Sequence, residues 1–134
     1  MPLSLADARR VIGAAQEKAA TIGVKVCVAV VDEGAHLVAL ERVDGVSPVA
    51  PVIAEGKAVG AASFRRDGAS LLTMANERVA FFDAVKGMTR TTIVPGPGSV
   101  LITRGGAVIG AVGVSGAKPD EDHACAEAGA ASIA

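Results

Sequence analysis

The spacing of apolar residues near the N-terminus predicts an amphipathic helix. These residues recur in alternating steps of three and four, which is the spacing of one helical face. They are Leu5, Ala8, Ile12, Ala15, Ala19 and Ile22. Ser4 can cap this helix, Asp7 lies near its positive end, and Gly23 is suited to end it.

The period then changes to two, which is typical of strands. Val24–Val31 alternates between two faces, and the segment 32–35 (Asp-Glu-Gly-Ala) predicts a turn into a second strand over His36–Val43. Together they predict a β-hairpin. A second pair of strands is predicted at Ser99–Thr103 and Ala107–Val114.

Helical signals separate and follow these hairpins. A second helix opens at Ser47-Pro48, a third runs from Ser70 to about Val85, and a last one begins at about Asp120. The resulting order is α-β-β-α-α-β-β-α. Hairpins separated by helices favour an α+β domain with helices packed on an antiparallel or mixed sheet.

Glycines inside the predicted elements indicate close approaches to the backbone. Gly56 and Gly60 make the second helix slender, which permits close packing against a sheet or a ligand. Gly110 and Gly113 interrupt the last strand, where we expect another group to press on the backbone.

Composition narrows the class of protein. The 134 residues fit one domain spanning 1–134, and a hydrophobic content of 51% excludes disorder. The net charge of −1 argues against a nucleic-acid binder that neutralises phosphates. No uncharged stretch is long enough for a membrane span. Small apolar residues dominate, with 16 glycines and no Trp or Tyr, so we expect exposed apolar surface that is covered by homo-oligomerisation.

Motifs exclude several kinds of site. Cys27 and Cys125 are far apart and signal neither a disulfide framework nor a metal site, so both are predicted to be buried. No secretory signal is visible, which favours the cytoplasm. Gly96-Pro97-Gly98 precedes a strand and lacks the dinucleotide fingerprint, and no Walker, nucleophile-elbow or HExxH sequence occurs.

A cluster near the C-terminus is the strongest candidate for chemistry. The last strand ends at Ser115-Gly116, and the final helix starts with Asp122 and His123 in its first turns. The loop amides and Ser115 could hold an anion, while Asp122 or His123 could act as a base or a ligand. Alternatively, the acidic residues only complement the helix dipole.

Two further polar residues can be interpreted either as ordinary surface residues or as functional residues. His36 follows a turn and is either a surface histidine or a ligand. Lys57 lies among Gly and Ala in the second helix, so it is either a solvated surface lysine or a partner for a carboxylate.

Three segments together resemble the GlcG/HbpS family. They are Val31–Gly45, Glu55–Ala58 and Gly110–Asp122. The most specific parts are the Asp-Glu-Gly hairpin, the Gly-Lys-Ala helix, and the Gly-Val-Ser-Gly strand end followed by Pro-x-x-Asp. The family includes glycolate-operon proteins, an extracellular heme-binding protein and the C-terminal domain of some cobalamin adenosyltransferases.

The resemblance implies a mostly antiparallel sheet of about five strands flanked by helices, and homo-oligomers such as tetramers or octamers. It also implies heme binding, which several members of the family show while many have no known activity. Since the first helix contains no histidine, His36, His123, Met74 or a cysteine would supply the axial ligand if heme binds. The positions that match the family's motifs lie at sheet and helix ends, where they are expected to form a small polar pocket within a subunit or between subunits. They are Asp32, His36, Arg42, Lys57, Ser115, Gly116 and Asp122.

These observations leave two main functions open. The protein is either a small oligomeric binder of heme or a related tetrapyrrole, serving storage, sensing or degradation, or an enzyme acting on an anionic catabolic intermediate. In the enzyme, Lys57 and Arg42 would hold a carboxylate, and His123, His36 or Asp122 would move a proton. A subunit that only builds an assembly is a third possibility.

Overall fold

A computed structural model describes residues 2–134 of the chain. It contains five helices and four strands within that range. In chain order they are α1 Leu5–Ile22, β1 Cys27–Asp32, β2 Leu37–Arg42, α2 Ala50–Phe64, α3 Gly68–Glu77, α4 Val79–Val85, β3 Ser99–Arg104, β4 Ala107–Ser115 and α5 Pro119–Ala131.

The four strands form one antiparallel sheet in the order β2-β1-β4-β3. The α+β class and both hairpins are confirmed, but the expected number of about five strands is wrong. The two hairpins supply every strand of the sheet over residues 2–134, because the chain between and after them is helical or irregular. At one end of the sheet, Cys27 lies opposite both Arg42 and Ser115.

Helices cover both faces of the sheet, as the alternation in β1 requires. Val26, Val28 and Val30 lie in one core with α1 and α5, whereas Cys27, Ala29 and Val31 lie in a second core with α2. All six side chains are fully buried. Because β1 is buried on both faces, its side chains from Cys27 to Val31 are all apolar. The alternation along the strand decides which helices each side chain contacts, not whether the side chain is exposed.

The first helix is capped as predicted. Ser4 and Asp7 form a capping box, and Gly23 ends the helix in the left-handed conformation with φ 75°. Asp7 also pairs with Arg10 at 2.9 Å and with Arg104 of β3 at 3.2 Å. The backbone hydrogen bond from Ser4 and the contact with Arg104 hold the pKa of Asp7 well below its usual value.

The third predicted helix differs in two respects. It is divided into α3 and α4 by Arg78, whose φ of −129° and ψ of 61° are not helical. It also begins at Gly68 rather than after Ser70, with Asp67 in the N-cap position. The Asp67 carboxylate accepts a hydrogen bond from the Leu101 backbone at 2.9 Å, which ties the start of α3 to β3.

Glycines lie where two elements pack closely together. In α2, however, the glycines pack against a different partner from the sheet or ligand that the sequence predicted. At Gly113 a Cβ atom would clash with the Ala54 carbonyl oxygen, so α2 lies directly on β4 as the strand pattern predicted. Gly56 instead faces the loop before β3, where a Cβ would lie 2.8 Å from the Thr92 carbonyl oxygen. Gly60 faces Leu71 of α3 and Ile93 of that loop, where a Cβ would lie 2.9 Å from Leu71 Cδ2 and 3.2 Å from Ile93 Cβ. Their packing partner is thus neither the sheet nor a ligand.

Within the part of the chain that the structure describes, no helix is both long and apolar enough to span a bilayer.

Candidate functional site

Lys57 and Asp122 form a buried ion pair at the end of β4. Lys57 Nζ donates hydrogen bonds to Asp122 Oδ2 at 3.1 Å and to the Val114 carbonyl oxygen at 2.9 Å. Only 9% of the lysine side chain and 4% of the aspartate side chain are exposed. Because α2 and α5 lie on opposite faces of the sheet, the pair joins the two helical layers around the end of the strand.

The aspartate is held from two sides. Its Oδ1 accepts a hydrogen bond from the Ala117 backbone at 3.0 Å, while Oδ2 faces Lys57. Burial raises the pKa of Asp122, and the ammonium of Lys57 opposes this effect without cancelling it. Both carboxylate oxygens therefore have partners, and a carboxyl with a raised pKa lies against a buried cation.

Gly98 makes room for this pair. A Cβ at this position would lie 2.7 Å from Lys57 Nζ and 3.1 Å from Asp122 Cβ, and the backbone has a φ of 122°. The Gly98 carbonyl oxygen also accepts a hydrogen bond from the Val114 backbone at 2.7 Å. The sequence carries no signal for this role of Gly98, because its neighbours in space are distant in the chain.

Three other predicted site residues lie at the same end of the sheet. Ser115 ends β4 and is buried, and Gly116 follows with a φ of 132°. A Cβ on Gly116 would lie 2.7 Å from the Lys25 carbonyl oxygen, so this glycine serves backbone packing. Arg42 ends β2, two strands away from Ser115, and its side chain is exposed.

Asp32 and His36 lie at the opposite end of the sheet. They flank the turn between β1 and β2, so the length of a six-residue strand separates them from the Lys57 pair. That length is about 17 Å. The motif-matched residues thus fall into two groups, one at each end of the sheet, because β1 begins at the end where β4 stops.

The Asp32–His36 group is held by one carboxylate oxygen. Asp32 Oδ1 lies 3.1 Å from His36 Nδ1 and accepts hydrogen bonds from the Gly34 and His36 backbones at 2.9 Å each. Partial burial acts to raise the pKa of Asp32, but the hydrogen bonds from His36 outweigh it, and the pKa is lowered. The carboxylate is therefore ionised at neutral pH and aligns the imidazole.

His123 belongs to neither group. It lies on α5 next to Asp122, and its Nε2 is 3.7 Å from Glu127 Oε2. Its Nδ1 is buried and has no hydrogen-bond partner among residues 2–134. The histidine thus pairs along its own helix rather than with Lys57.

The remaining candidate ligands are core residues. Met74 is 5% exposed, and Cys27 and Cys125 are fully buried. Burial raises the pKa of both thiols, which disfavours the thiolate that binds a metal. Their prediction as buried small side chains is confirmed.

The fold and these groups define a small α+β protein with helices on both faces of a four-stranded antiparallel sheet. The model of the family described as "Haem degrading protein HbpS-like" matches residues 3–131, and the chain belongs to this family. The chain is 39% identical over 114 residues to protein GlcG of Escherichia coli strain K12, covering 84% of this chain and 81% of that protein. The resemblance to the GlcG/HbpS family is thereby confirmed.

Solved structures agree with this assignment. A double mutant of Streptomyces reticuli HbpS superposes with a TM-score of 0.89 at 30% identity, covering 100% of this chain and 88% of that chain. The complex of PduOC with heme superposes with a TM-score of 0.88 at 25% identity, covering 99% of this chain and 96% of that chain. A protein solved in complex with heme, PduOC, therefore shares this fold.

Proposed function

We propose that the protein binds heme or a related tetrapyrrole and that His36 supplies the axial ligand. The observation that carries the proposal is the contact of 3.1 Å between His36 Nδ1 and Asp32 Oδ1. A histidine that binds a metal commonly directs its other ring nitrogen at a carboxylate, which fixes the tautomer and makes the ligand more basic. The heme-degrading family and the heme complex of PduOC support the choice of ligand.

The surroundings of His36 fit this role. The side chain is 56% exposed, and its Nε2 is not engaged by another group between residues 2 and 134. A Cβ on Gly34 would lie 2.9 Å from His36 Nδ1 and Cε1, so the glycine accommodates the ring in this orientation. Leu37 beside it is 46% exposed and offers an apolar surface to a macrocycle.

A positive charge lies at the same turn. Arg65 Nη1 donates hydrogen bonds to the carbonyl oxygens of Glu33 and Ala62, at 2.8 Å each. The guanidinium is thereby fixed near the turn, where it favours the carboxylate groups that a heme carries. The bound iron would supply redox chemistry, while His36 would hold the metal and Asp32 would orient His36.

Hemin titration of the purified apoprotein tests the proposal. We expect a saturable Soret shift for the natural sequence, its loss in His36→Ala, and weaker binding in Asp32→Asn. The chain has two histidines, so His123→Ala is the matched competitor. If His123→Ala removes the Soret shift and His36→Ala keeps it, the ligand assignment is wrong; if the natural sequence shows no saturable shift, heme binding is wrong.

We further propose that the protein is a homo-oligomer, with a tetramer or an octamer as the expected forms. Several large apolar side chains support this, because they are exposed on the single chain. They are Leu5, Leu37, Val49, Val52, Val79, Phe81 and Met88. Light scattering measures the mass directly, and a monomeric mass at micromolar concentration would refute the proposal.

The second candidate is an enzyme acting on an anionic catabolic intermediate. The observation that favours it is the raised pKa of Asp122 beside Lys57, because perturbed carboxyl groups are frequent in active sites. Here Lys57 and Arg42 would bind a carboxylate, and Asp122 or His123 would move the proton. Incubation with a panel of hydroxy acids and dicarboxylic acids, followed by NMR, tests this function, and Asp122→Asn should abolish any turnover that is found.

A further inference from the structure

The two edge strands of the sheet, β2 and β3, differ in the hydrogen bonds that their outer backbone groups form. At the β3 edge, the Leu101 backbone N–H donates to the Asp67 carboxylate at 2.9 Å, so a side chain covers part of that edge. At the β2 edge, the backbone groups that point away from β1 receive no such bond from the described residues. β2 contains neither proline nor lysine; its charged residues are Glu41 and Arg42 at its end, and its register with β1 shifts only at the other end, between Val30 and Val31.

A cleft runs between the β2 edge and α1. Its volume is about 320 Å³, and it is lined by Arg9, Ile12, Gly13, Ala39, Leu40 and Glu41. Gly13 lies in the interior of α1, and a Cβ placed on it would meet nothing within 4 Å. Glycine in a helix interior costs about 1 kcal/mol relative to alanine, and no contact among residues 2–134 makes use of the space that Gly13 leaves.

The charges on the cleft walls are complementary under a twofold rotation. Ala39 and Glu41 pair with Val30 and Val28, whose side chains face α1, so both belong to the α1 face of the sheet. If β2 strands from two chains pair antiparallel about Leu40, Glu41 of the partner subunit comes opposite Ala39. It then enters the cleft that Arg9 lines. Neither Arg9 nor Glu41 forms an ion pair within residues 2–134.

We propose that the β2 edge and the α1 cleft bind a second copy of this chain, through antiparallel β2–β2 pairing across a twofold axis. The pairing continues the sheet, satisfies the free backbone edge of both chains and places two Arg9–Glu41 contacts between subunits. This inference rests on the proposed homo-oligomer and names one of its interfaces.

Charge reversal tests the interface in a way that no contact within one chain can imitate. Arg9→Glu and Glu41→Arg each create two like-charge contacts in a homodimer, so each variant should self-associate at least about tenfold more weakly at low salt. In a mixture of the two variants, both contacts of the mixed dimer pair opposite charges. We therefore expect mixing to restore association, as measured by sedimentation velocity and native mass spectrometry.

A second pair of variants tests the cleft without changing charge. Gly13→Gln fills the space beside α1 and should weaken association, whereas Ala20→Gln, an exposed position on the same helix, should not. Circular dichroism of both variants checks that the fold is intact. If Gly13→Gln instead abolishes hemin binding and leaves association unchanged, the cleft holds the tetrapyrrole and the interface proposal is wrong.

The outcomes separate this inference from the proposed oligomer. If the natural sequence is monomeric, both fail. If it associates but the charge-reversal variants associate equally well, or if their mixture is no stronger than either alone, the oligomer stands and this interface is refuted.

Discussion

Replacing Lys57 with methionine should destabilise the protein strongly, because it leaves Asp122 buried without its cation. The two groups are 3.1 Å apart and almost completely buried. At an effective dielectric constant of about 20, their attraction is about 5 kcal/mol. Removing one partner of a buried ion pair typically costs about 3–5 kcal/mol. A domain of this size is stable by about 5–15 kcal/mol, so the variant should lose about a fifth of that stability or more.

Removing both charges should restore most of the loss. In Lys57→Met combined with Asp122→Asn, the amide oxygen can still accept the hydrogen bond from the Ala117 backbone. We expect the double variant to lie within about 2 kcal/mol of the natural sequence, since desolvation of the two charges no longer opposes folding. Adding the single variant Asp122→Asn completes a double-mutant cycle, which gives the coupling energy of the pair.

The single variant should also respond to pH. Burial raises the pKa of Asp122 in the folded protein, and loss of the lysine raises it further. A group with a raised folded pKa contributes stability below its unfolded pKa and loses it as the pH rises through the folded value. Lys57→Met should therefore be more stable at pH 5 than at pH 8, by a larger margin than the natural sequence.

Urea denaturation, monitored by circular dichroism at pH 5, 7 and 8, gives the free energy of unfolding of the natural sequence and of the variants. The reasoning is refuted if Lys57→Met stays within about 1 kcal/mol of the natural sequence at pH 8. It is also refuted if the double variant is no more stable than the single one.

Three smaller predictions use the same assay. Gly13→Ala should stabilise the protein by about 1 kcal/mol, whereas Gly113→Ala should destabilise it by about 1–3 kcal/mol. The reason is that a Cβ clashes with neighbouring atoms at Gly113 but not at Gly13, and equal effects of the two variants would contradict this packing. Asp7 has a lowered pKa, so the stability it contributes should be lost as the pH falls below about 4, and Asp7→Asn should lessen that loss. Ser99→Ala should be neutral or stabilising by up to about 1 kcal/mol, since the buried hydroxyl has no partner within residues 2–134, and a clear loss would reveal one.

Local patterns predicted most of the elements, but not the division of the third predicted helix at Arg78. The steps of three and four residues along α1, the period of two residues in β1 and the two hairpins all depend on residues that are close in the sequence. The sequence pattern therefore predicts them directly. The motifs also identified the family, and Lys57, Asp122, Asp32 and His36 were among the candidate residues. What these residues do depended on neighbours that the patterns could not supply.

The sequence by itself thus determined most of the elements, the faces of β1 and the family. Only the tertiary structure decided that Lys57 meets Asp122, 65 positions away, around the end of β4, and that Asp32 and His36 lie at the other end of the sheet. The physical reason is that strand order and helix placement follow from packing of the whole chain, and backbone partners such as the Val114 carbonyl and Gly98 have no side-chain signal.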